Sequence, residues 1–257
     1  MFNNTFKNKT IIITGHTGFK GSWLSLWLTS LGAKVVGVSL DVPTSPSNFE
    51  ASKIIDLVES YEIDVRNIEA LRSIVDKHQP DFCFHMAAQA LVRKSYDSPL
   101  DTMTINAIGS ANVLDALMRV NKKVIAIMIT SDKAYDNVEW SWGYREIDRL
   151  GGKDPYSASK GMAELAIRSF VSSFLNQKDS NLRVGITRAG NVIGGGDWAT
   201  DRIVPDCIKA WATGETVDIR SPQSTRPWQH VLEPLSGYIS LAVDLSNSRK
   251  NHGEAYN

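Results

Sequence analysis

The sequence predicts an α/β protein built on a doubly wound parallel sheet, and three observations support this fold class. Short runs rich in β-branched residues alternate with longer segments of helical period, which is typical of βαβ units. The runs are almost continuously apolar, as expected for strands that helices cover on both faces. A glycine-rich turn joins the first run to the first helical segment. The 257 residues fit one large α/β domain with a smaller added region.

The strands and helices follow in chain order. Between the first two strands, one apolar stripe predicts a helix packed on the sheet, formed by Trp23, Leu24, Trp27, Leu28 and Leu31. Further helices are predicted near residues 67–78, 100–119, 155–175 and 202–212. The predicted strands are residues 10–14, 34–40, 61–65, 81–86, 123–130 and 182–187.

Bulk composition narrows the function classes. Lys plus Arg and Asp plus Glu both number 28, so no net field attracts nucleic acid or an anionic membrane. Cys83 and Cys207 lie far apart in apolar surroundings, which argues against a disulfide framework. No His, Cys and Asp cluster has metal-ligand spacing, and we expect no metal. The absence of a signal peptide and of any run of ~20 apolar residues predicts a cytoplasmic protein without a membrane span.

The stretch "TGHTGFKG" follows the first strand and opens the first helix. Its glycines, Gly15, Gly18 and Gly21, allow a tight turn and a close approach of the backbone to a pyrophosphate. The pyrophosphate would then lie at the positive N-terminal end of the helix that begins near Phe19. His16 either contacts the phosphates or points outward from the turn. This context predicts a Rossmann-type dinucleotide site, although the GxxGxxG spacing differs from the commoner GxGxxG.

Residues at the ends of later strands are weaker candidates for cofactor contacts, and each has a structural reading of similar weight. Ser39 or Asp41 could stand near the end of the second strand, where an acid would bond the adenosine ribose and favour NAD over NADP. Asp41 could instead initiate a turn. Asp64 and Val65 end the third predicted strand and would frame the adenine. The small residues after the fourth strand would leave room for the cofactor, in the segment Ala87, Ala88 and Gln89.

Tyr156 and Lys160 lie four residues apart, so both side chains share one face of a helix. A tyrosine with a pKa near ~10 is a poor base, but a neighbouring ammonium would lower that pKa. The pair could then remove a hydroxyl proton, with Lys160 also holding the nicotinamide ribose. Ser131, at the end of the preceding strand, could bond the same oxygen. The other reading is that both side chains lie on a solvated face.

After residue 188 the sequence becomes rich in Gly, Pro and Arg, which suggests a ligand-holding region. We therefore predict a dinucleotide-binding domain over residues 1–187 and a substrate-binding region over residues 188–257. Because "GEAYN" reads like the start of a strand, we expect the second region to be incomplete. Guanidinium forks match phosphate oxygens, and Arg188, Arg202, Arg220 and Arg226 all fall here. Arg188 could equally be an ion-pair partner.

The order of glycine loop, strand-end Ser131, Tyr156 and Lys160 resembles the extended branch of the short-chain dehydrogenase/reductase superfamily. The segments "NAIGSANVLDAL", "RAGNVIGGGDW" and "RPWQHVLEPLSGY" extend the resemblance over essentially the whole chain. Within that branch, "GHTGFKGSWL", "AAQALVRKSY", "TSDKAY" and "RPWQHV" are similar to nucleotide-sugar 4,6-dehydratases, with CDP-glucose the preferred substrate.

The resemblance implies an NAD-dependent lyase in deoxysugar and lipopolysaccharide O-antigen biosynthesis. It also implies a homodimer or higher homo-oligomer, formed by the helices near 100–119 and 155–175 as a four-helix bundle. It assigns Arg226 to the diphosphate, Asn191 to the sugar or diphosphate, and Arg93 to the same part of the substrate.

The resemblance also explains the triplet Ser131-Asp132-Lys133. The dTDP-glucose enzymes carry Thr-Asp-Glu here, the Asp acting as an acid and the Glu as a base. Tyr156 would deprotonate the C4 hydroxyl while the C4 hydride passes to NAD, and the resulting ketone acidifies the C5 proton. Removal of that proton and protonation of the C6 hydroxyl by Asp132 would release water, and the hydride would return to C6. Lys133 would be the C5 base if desolvated, or would stay charged and stabilise the enolate.

Other functions remain open at this point. A C4 epimerase or a decarboxylase of the same branch would share the Tyr156 and Lys160 pair, but an epimerase has no use for an acid–base couple at residues 132 and 133. A non-catalytic dinucleotide-binding protein would not need Ser131, Tyr156 and Lys160 together. The triplet therefore favours the dehydratase.

Overall fold

The computed structural model describes residues 2–177, 179–219 and 221–257. Its seven-stranded sheet has the order β3-β2-β1-β4-β5-β6-β9, and every neighbouring pair is parallel. This confirms the predicted doubly wound α/β fold. The sheet strands are β1 Thr10–Thr14, β2 Lys34–Ser39, β3 Glu59–Glu62, β4 Phe82–His85, β5 Val124–Ile129, β6 Leu182–Thr187 and β9 Ala255–Tyr256. A separate parallel pair consists of β7 Asn191–Ile193 and β8 Trp228–His230.

The helices confirm the predicted crossovers. They are α1 Phe19–Ser30, α2 Asn48–Ala51, α3 Ile68–His78, α4 Val92–Asp97, α5 Pro99–Met103, α6 Gly109–Leu117, α7 Pro155–Phe170, α8 Ile203–Thr213 and α9 Leu232–Asn247. A π-helical turn, Thr104–Ile108, joins α5 to α6, and a second, Val171–Leu175, extends α7. The helices predicted near residues 100–119 and 155–175 are therefore each continuous, and each contains one π-helical turn. Three 3-10 turns complete the set, Phe2–Asn4, Ile54–Asp56 and Asp132–Ala134.

Two hydrophobic cores cover the two faces of the sheet. Alternate residues of β1 point to opposite faces, as the period of a strand requires. Ile12 packs under α3, α6 and α7, whereas Ile11 and Ile13 pack under α1 and α9 against Leu24 and Leu235. The sheet is thus buried on both sides, and the carboxyl ends of its strands form one edge where a ligand can lie.

The structure differs from the predicted elements in several places. β3 ends at Glu62, so Asp64 and Val65 follow this strand rather than ending it. Helices α2, α4 and α9 and strands β7 and β8 were not predicted. Residues 188–257 were predicted to bind substrate, but within them α9 packs against the main sheet and β9 joins it. The part of this region that lies outside the main sheet is therefore the part before α9. Among the described residues, no helix is long and apolar enough to cross a membrane.

Candidate active site

The glycine loop is a tightly closed turn between β1 and α1. Gly15 has a φ of +76°, and a Cβ added there would lie 2.7 Å from the backbone nitrogen of Ala87. A Cβ at Gly21 would lie 2.0 Å from the carbonyl oxygen of Gly15. Both positions therefore require glycine, the first for its backbone conformation and the second for the close approach of helix and turn.

The N-terminus of α1 is open toward the edge of the sheet. Gly18 is the N-cap residue, and no side chain of the described residues caps the helix that begins at Phe19. Its first turn also carries no acidic residue. The first backbone N–H groups of a helix need acceptors, and a pyrophosphate supplies both acceptors and a complementary charge. The loop and the open helix end fit the phosphates of a dinucleotide.

The His16 side chain lies inside the protein and not against the phosphate position. Its Nδ1 and Nε2 atoms lie 2.8 Å from the hydroxyl oxygens of Ser39 and Ser60. Burial lowers the pKa of His16 to about 4, so the ring is neutral at physiological pH. The expectation that the ring points outward is wrong, and neither ring nitrogen is free for a phosphate. Any contact between His16 and the cofactor would therefore be made by the His16 backbone.

Asp41 lies two residues beyond β2 and is exposed. Its carbonyl oxygen accepts a hydrogen bond of 2.5 Å from the Thr17 hydroxyl, which ties it to the glycine loop. Ser39, the other candidate for the ribose, is buried and bonded to the His16 ring. Of these two residues, only Asp41 has an exposed side chain. Its contact with the ribose remains a prediction.

Asp64 and Val65 have structural partners. The Asp64 carboxylate lies 2.7 Å from the Arg66 guanidinium, and this hydrogen bonding lowers the pKa of Asp64. Val65 is buried, and a Cβ at Gly109 would lie 2.7 Å from its Cγ2. The side chains of both residues thus contact other parts of the protein. Any contact with the adenine would be made by the backbone of these residues.

The segment after β4 combines half-buried alanines with a structural glutamine. Ala87 and Ala88 are half-buried next to the glycine loop. Gln89 is buried, its Nε2 donates to the Leu91 carbonyl and the Thr102 hydroxyl, and its Oε1 accepts from the Leu91 backbone at 2.6 Å. The predicted cofactor contact of the Gln89 side chain is therefore not available in this structure, because the amide fixes the loop.

Tyr156 and Lys160 lie together in the first turns of α7. Asp154 caps this helix, accepting from the Ser157 backbone at 2.9 Å, and Pro155 occupies the first turn. Tyr156 and Lys160 are only 9% and 6% exposed, and the Lys160 Nζ lies 5.9 Å from the centre of the Tyr156 ring. The pair therefore faces a buried position, and the reading as a solvated face is wrong.

Burial dominates the acid–base properties of this pair. It raises the pKa of Tyr156 to about 12, with hydrogen bonding from the Ser131 hydroxyl opposing the shift. It lowers the pKa of Lys160 to about 7, with a smaller effect from the charge of Lys20. The expectation that Lys160 lowers the pKa of Tyr156 is wrong for the protein alone, because loss of water has the larger effect.

The triplet Ser131-Asp132-Lys133 follows β5 and lies beside Tyr156. The Ser131 Oγ accepts from the Lys133 backbone at 3.2 Å and donates to the Asp132 carboxylate at 2.9 Å. The Asp132 charge raises the pKa of Tyr156, which shows that the two groups are close. The Lys133 ammonium has no hydrogen bond or ion pair with any described residue. The structure thus brings the Ser131 hydroxyl and the Asp132 carboxylate close to Tyr156, and Lys133 follows directly in the chain.

The two C-terminal motifs come together as a small sheet. β7 pairs with β8, which places Asn191 opposite Trp228. The Asn191 backbone donates to the Pro227 carbonyl at 3.1 Å, and a Cβ at Gly190 would lie 2.6 Å from the Pro227 ring. The predicted diphosphate residues Asn191 and Arg226 therefore lie on neighbouring segments.

The predicted substrate arginines differ in their surroundings. Arg202 pairs with Asp197 at 2.7 Å, and its positive charge opposes the raised pKa of Tyr156. Arg93 pairs with Asp201 at 3.1 Å and is largely exposed. Arg226 is exposed, and Arg220 lies outside the described residues. The open question about Arg188 is answered by its fully buried ion pair with Glu164, which leaves it unavailable to a phosphate.

One contact that the sequence did not suggest joins the two parts of the site. The Trp23 indole of α1 donates to the carbonyl of Gly195 at 2.9 Å. A Cβ at Gly194 would lie 3.3 Å from the Phe19 ring, and one at Gly196 would lie 2.4 Å from Asn48. The only signal in the sequence was the run of three glycines, which permits this close packing. No group of three or more His, Cys, Asp or Glu among the described residues is arranged to hold a metal ion.

Comparisons with known proteins identify the family of the chain. CDP-glucose 4,6-dehydratase from Salmonella typhimurium is 49% identical over 257 residues, covering 99% of this chain and 72% of the relative. CDP-paratose 2-epimerase from Salmonella typhi is 26% identical, covering 96% and 78%. The solved structure of DesIV, a dTDP-glucose 4,6-dehydratase from Streptomyces venezuelae with NAD bound, has a TM-score of 0.82 at 20% identity, covering 96% of this chain and 74% of that one. The model of the NAD dependent epimerase/dehydratase family matches residues 11–257, and the chain belongs to this family.

Proposed function

We propose that the protein is an NAD-dependent lyase that converts CDP-glucose to CDP-4-keto-6-deoxyglucose by removing water. The 49% identity to a CDP-glucose 4,6-dehydratase supports the substrate and the reaction. The observation that carries the chemistry is that the turn Asp132–Ala134 packs on α7 and so brings Asp132 close to the buried Tyr156. An enzyme that only inverts C4 needs the tyrosine but has no step for this second pair.

Tyr156 and Lys160 act at C4. The Tyr156 oxygen, as a phenolate, takes the proton of the C4 hydroxyl, and the Ser131 hydroxyl stabilises that phenolate when it turns away from the Asp132 carboxylate. The glycine loop at Gly15, Gly18 and Gly21 would hold NAD, which would supply a reversible acceptor for the C4 hydride. Lys160, uncharged in part at neutral pH because its pKa is about 7, gains a proton readily when a negative charge develops nearby.

Asp132 and Lys133 act at C6 and C5. Asp132, as the carboxylic acid, donates its proton to the departing C6 hydroxyl, and its contact of 2.9 Å with the Ser131 hydroxyl orients the carboxyl group. Lys133 lies next to it with an unpaired ammonium and acts on the C5 proton. The substitution Lys133→Arg separates its two roles, because arginine keeps the charge but cannot accept a proton at working pH. Retained elimination in Lys133→Arg would support charge stabilisation, and its loss would support general-base action.

The nucleotide-sugar site is proposed for the C-terminal region that begins at residue 188. Support comes from the pairing of β7 with β8, which brings Asn191 and the exposed Arg226 onto adjacent segments. Arg93 and Arg202 border the same side of the site through their partners Asp201 and Asp197. Arg220 belongs to the same proposed group. These guanidinium groups would bind the diphosphate in an otherwise neutral protein.

A product assay tests the proposal. The full-length protein is incubated with NAD and CDP-glucose, and the nucleotide sugar is examined by mass spectrometry. Loss of one water without net reduction of NAD supports the dehydratase. An unchanged mass with inverted C4 would show an epimerase, and an unchanged sugar with every nucleotide-glucose would show a binding protein.

We also propose a homodimer formed through the helices of residues 99–117 and 155–175, in a cytoplasmic enzyme of deoxysugar biosynthesis that supplies lipopolysaccharide O-antigen. Apolar side chains on these helices are exposed, with Leu100 at 76% and Leu165 at 58%. Four helices packed through such a face would bury them. Leu165→Asp should yield a monomer in size-exclusion chromatography with light scattering, whereas exposed Lys153→Asp should leave a dimer.

A further inference from the structure

A buried network encloses the Ser131-Asp132-Lys133 segment from both ends. Glu164 lies on α7 one turn after Lys160, and its carboxylate is completely buried. Its Oε2 accepts from the Arg188 Nε at 2.9 Å, and its Oε1 accepts from Arg188 Nη2. The Thr130 hydroxyl lies 3.4 Å from Glu164 Oε2 and 3.1 Å from the Thr187 carbonyl oxygen, and it donates to one of them at a time. Thr130 is the residue immediately before the triplet, so Glu164 and Thr187 together hold the N-terminal end of the segment.

Arg188 holds the other end. This residue directly follows β6, and its side chain is fully buried. Its Nη1 donates to the Tyr135 hydroxyl and, at 3.2 Å, to the Glu146 carbonyl. The guanidinium carbon lies 4.6 Å from the centre of the Tyr135 ring. The Tyr135 hydroxyl also donates to Asn257 at 2.7 Å. Thr130 and Tyr135 bracket the triplet, and one ion pair connects both to the helix of Tyr156.

The ion pair between Glu164 and Arg188 fixes the positions of its neighbours more than it stabilises the fold. A buried ion pair adds little net stability compared with apolar groups of the same volume, because both charges lose water. A guanidinium fork, however, fixes the direction of every group that it bonds. Proton transfer requires distances held to a few tenths of an ångström, and the triplet itself is only half-buried.

We propose that Glu164, Arg188 and Tyr135 are positioning residues for the elimination of water, an inference that rests on the proposed function. Tyr156 and Lys160 stand on a capped helix and keep their places without the network. Ser131 lies two residues beyond the end of β5, whereas Lys133 lies closer in the chain to Tyr135. Loosening the Tyr135 end therefore disturbs the C5 step more than the oxidation at C4.

Tyr135→Phe is the test variant, because it removes one hydroxyl and keeps the ring. Tyr144→Phe is the matched control, since its ring lies 4.9 Å from that of Tyr135 while its hydroxyl, among the described residues, bonds Val138 and Asn137 and not the network. Hydrogen–deuterium exchange of the protein without substrate reports on the segment directly. We expect the amides of residues 132–136 to exchange about 10-fold faster in Tyr135→Phe and at the normal rate in Tyr144→Phe.

Kinetic measurements test whether the order of residues 132–136 affects the removal of the C5 proton. With CDP-glucose deuterated at C5, Tyr135→Phe should lower kcat by about 10-fold, leave KM unchanged and show a larger isotope effect than the parent protein. Arg188→Lys, which keeps the charge but loses the fork, should behave in the same way. Unchanged exchange and isotope effect in Tyr135→Phe, or equal changes in Tyr144→Phe, would overturn the proposal. If the parent protein does not dehydrate CDP-glucose, the proposed function fails, and the exchange measurement still decides whether the network orders the segment.

Discussion

Replacing Lys160 with Met should stabilise the protein strongly at acidic pH and weakly at alkaline pH. The pKa of Lys160 falls from 10.5 to about 7 on folding because burial removes water from the ammonium. The folded protein therefore binds fewer protons than the unfolded chain between about pH 7 and 10.5, and stability rises with pH across this window. Below pH 7 the buried lysine costs about 5 kcal/mol, at ~1.4 kcal/mol for each tenfold difference in proton affinity.

The stabilisation by Lys160→Met should be about 5 kcal/mol at pH 6 and about 1 kcal/mol at pH 9.5, a change of roughly 3 kcal/mol or more. Urea unfolding at the two pH values, without NAD, measures the free energy of unfolding of both proteins. Exposed Lys153→Met serves as the control for changes in net charge. A Lys160→Met effect that is the same at both pH values would refute the account, because it would mean that the ammonium keeps its water in the folded state.

Three further substitutions test separate parts of the site. Lys133→Ala should lower the rate of water loss by about 100-fold with no change in thermal midpoint, because the ammonium has no partner among the described residues. Gly15→Ala should weaken NAD binding, measured by calorimetry, because φ is +76° and the new Cβ would lie 2.7 Å from the Ala87 nitrogen. Trp23→Phe should raise KM for the nucleotide sugar with little change in kcat, because it removes the 2.9 Å hydrogen bond to Gly195.

Local patterns in the sequence were sufficient to predict the main sheet and to place Tyr156 and Lys160 on one helix face. Apolar runs predicted the strands, and the spacing of four residues predicted a shared helix face. Helix α9 was missed because Pro234 and Gly237 are poor helix formers, although Leu235, Tyr238 and Ile239 have helical spacing.

Features that depend on neighbours across the fold could not be predicted. His16 is turned inward because Gly37 on β2 leaves room for its ring, where a Cβ would lie 2.3 Å from the imidazole. Arg188 meets Glu164 only because β6 and α7 pack together. The pKa of Tyr156 depends on burial depth, which spacing along a helix does not reveal. In each case the deciding partner is distant in sequence.

The fate of the C4 hydrogen tests the central claim most directly. CDP-glucose deuterated at C4 is incubated with the protein and NAD, and the product is examined by nuclear magnetic resonance. The proposed reaction predicts a 4-keto sugar with the deuterium at C6 of the same molecule. A product that carries the deuterium at C4 would contradict the account and show that the protein inverts C4 without removing water.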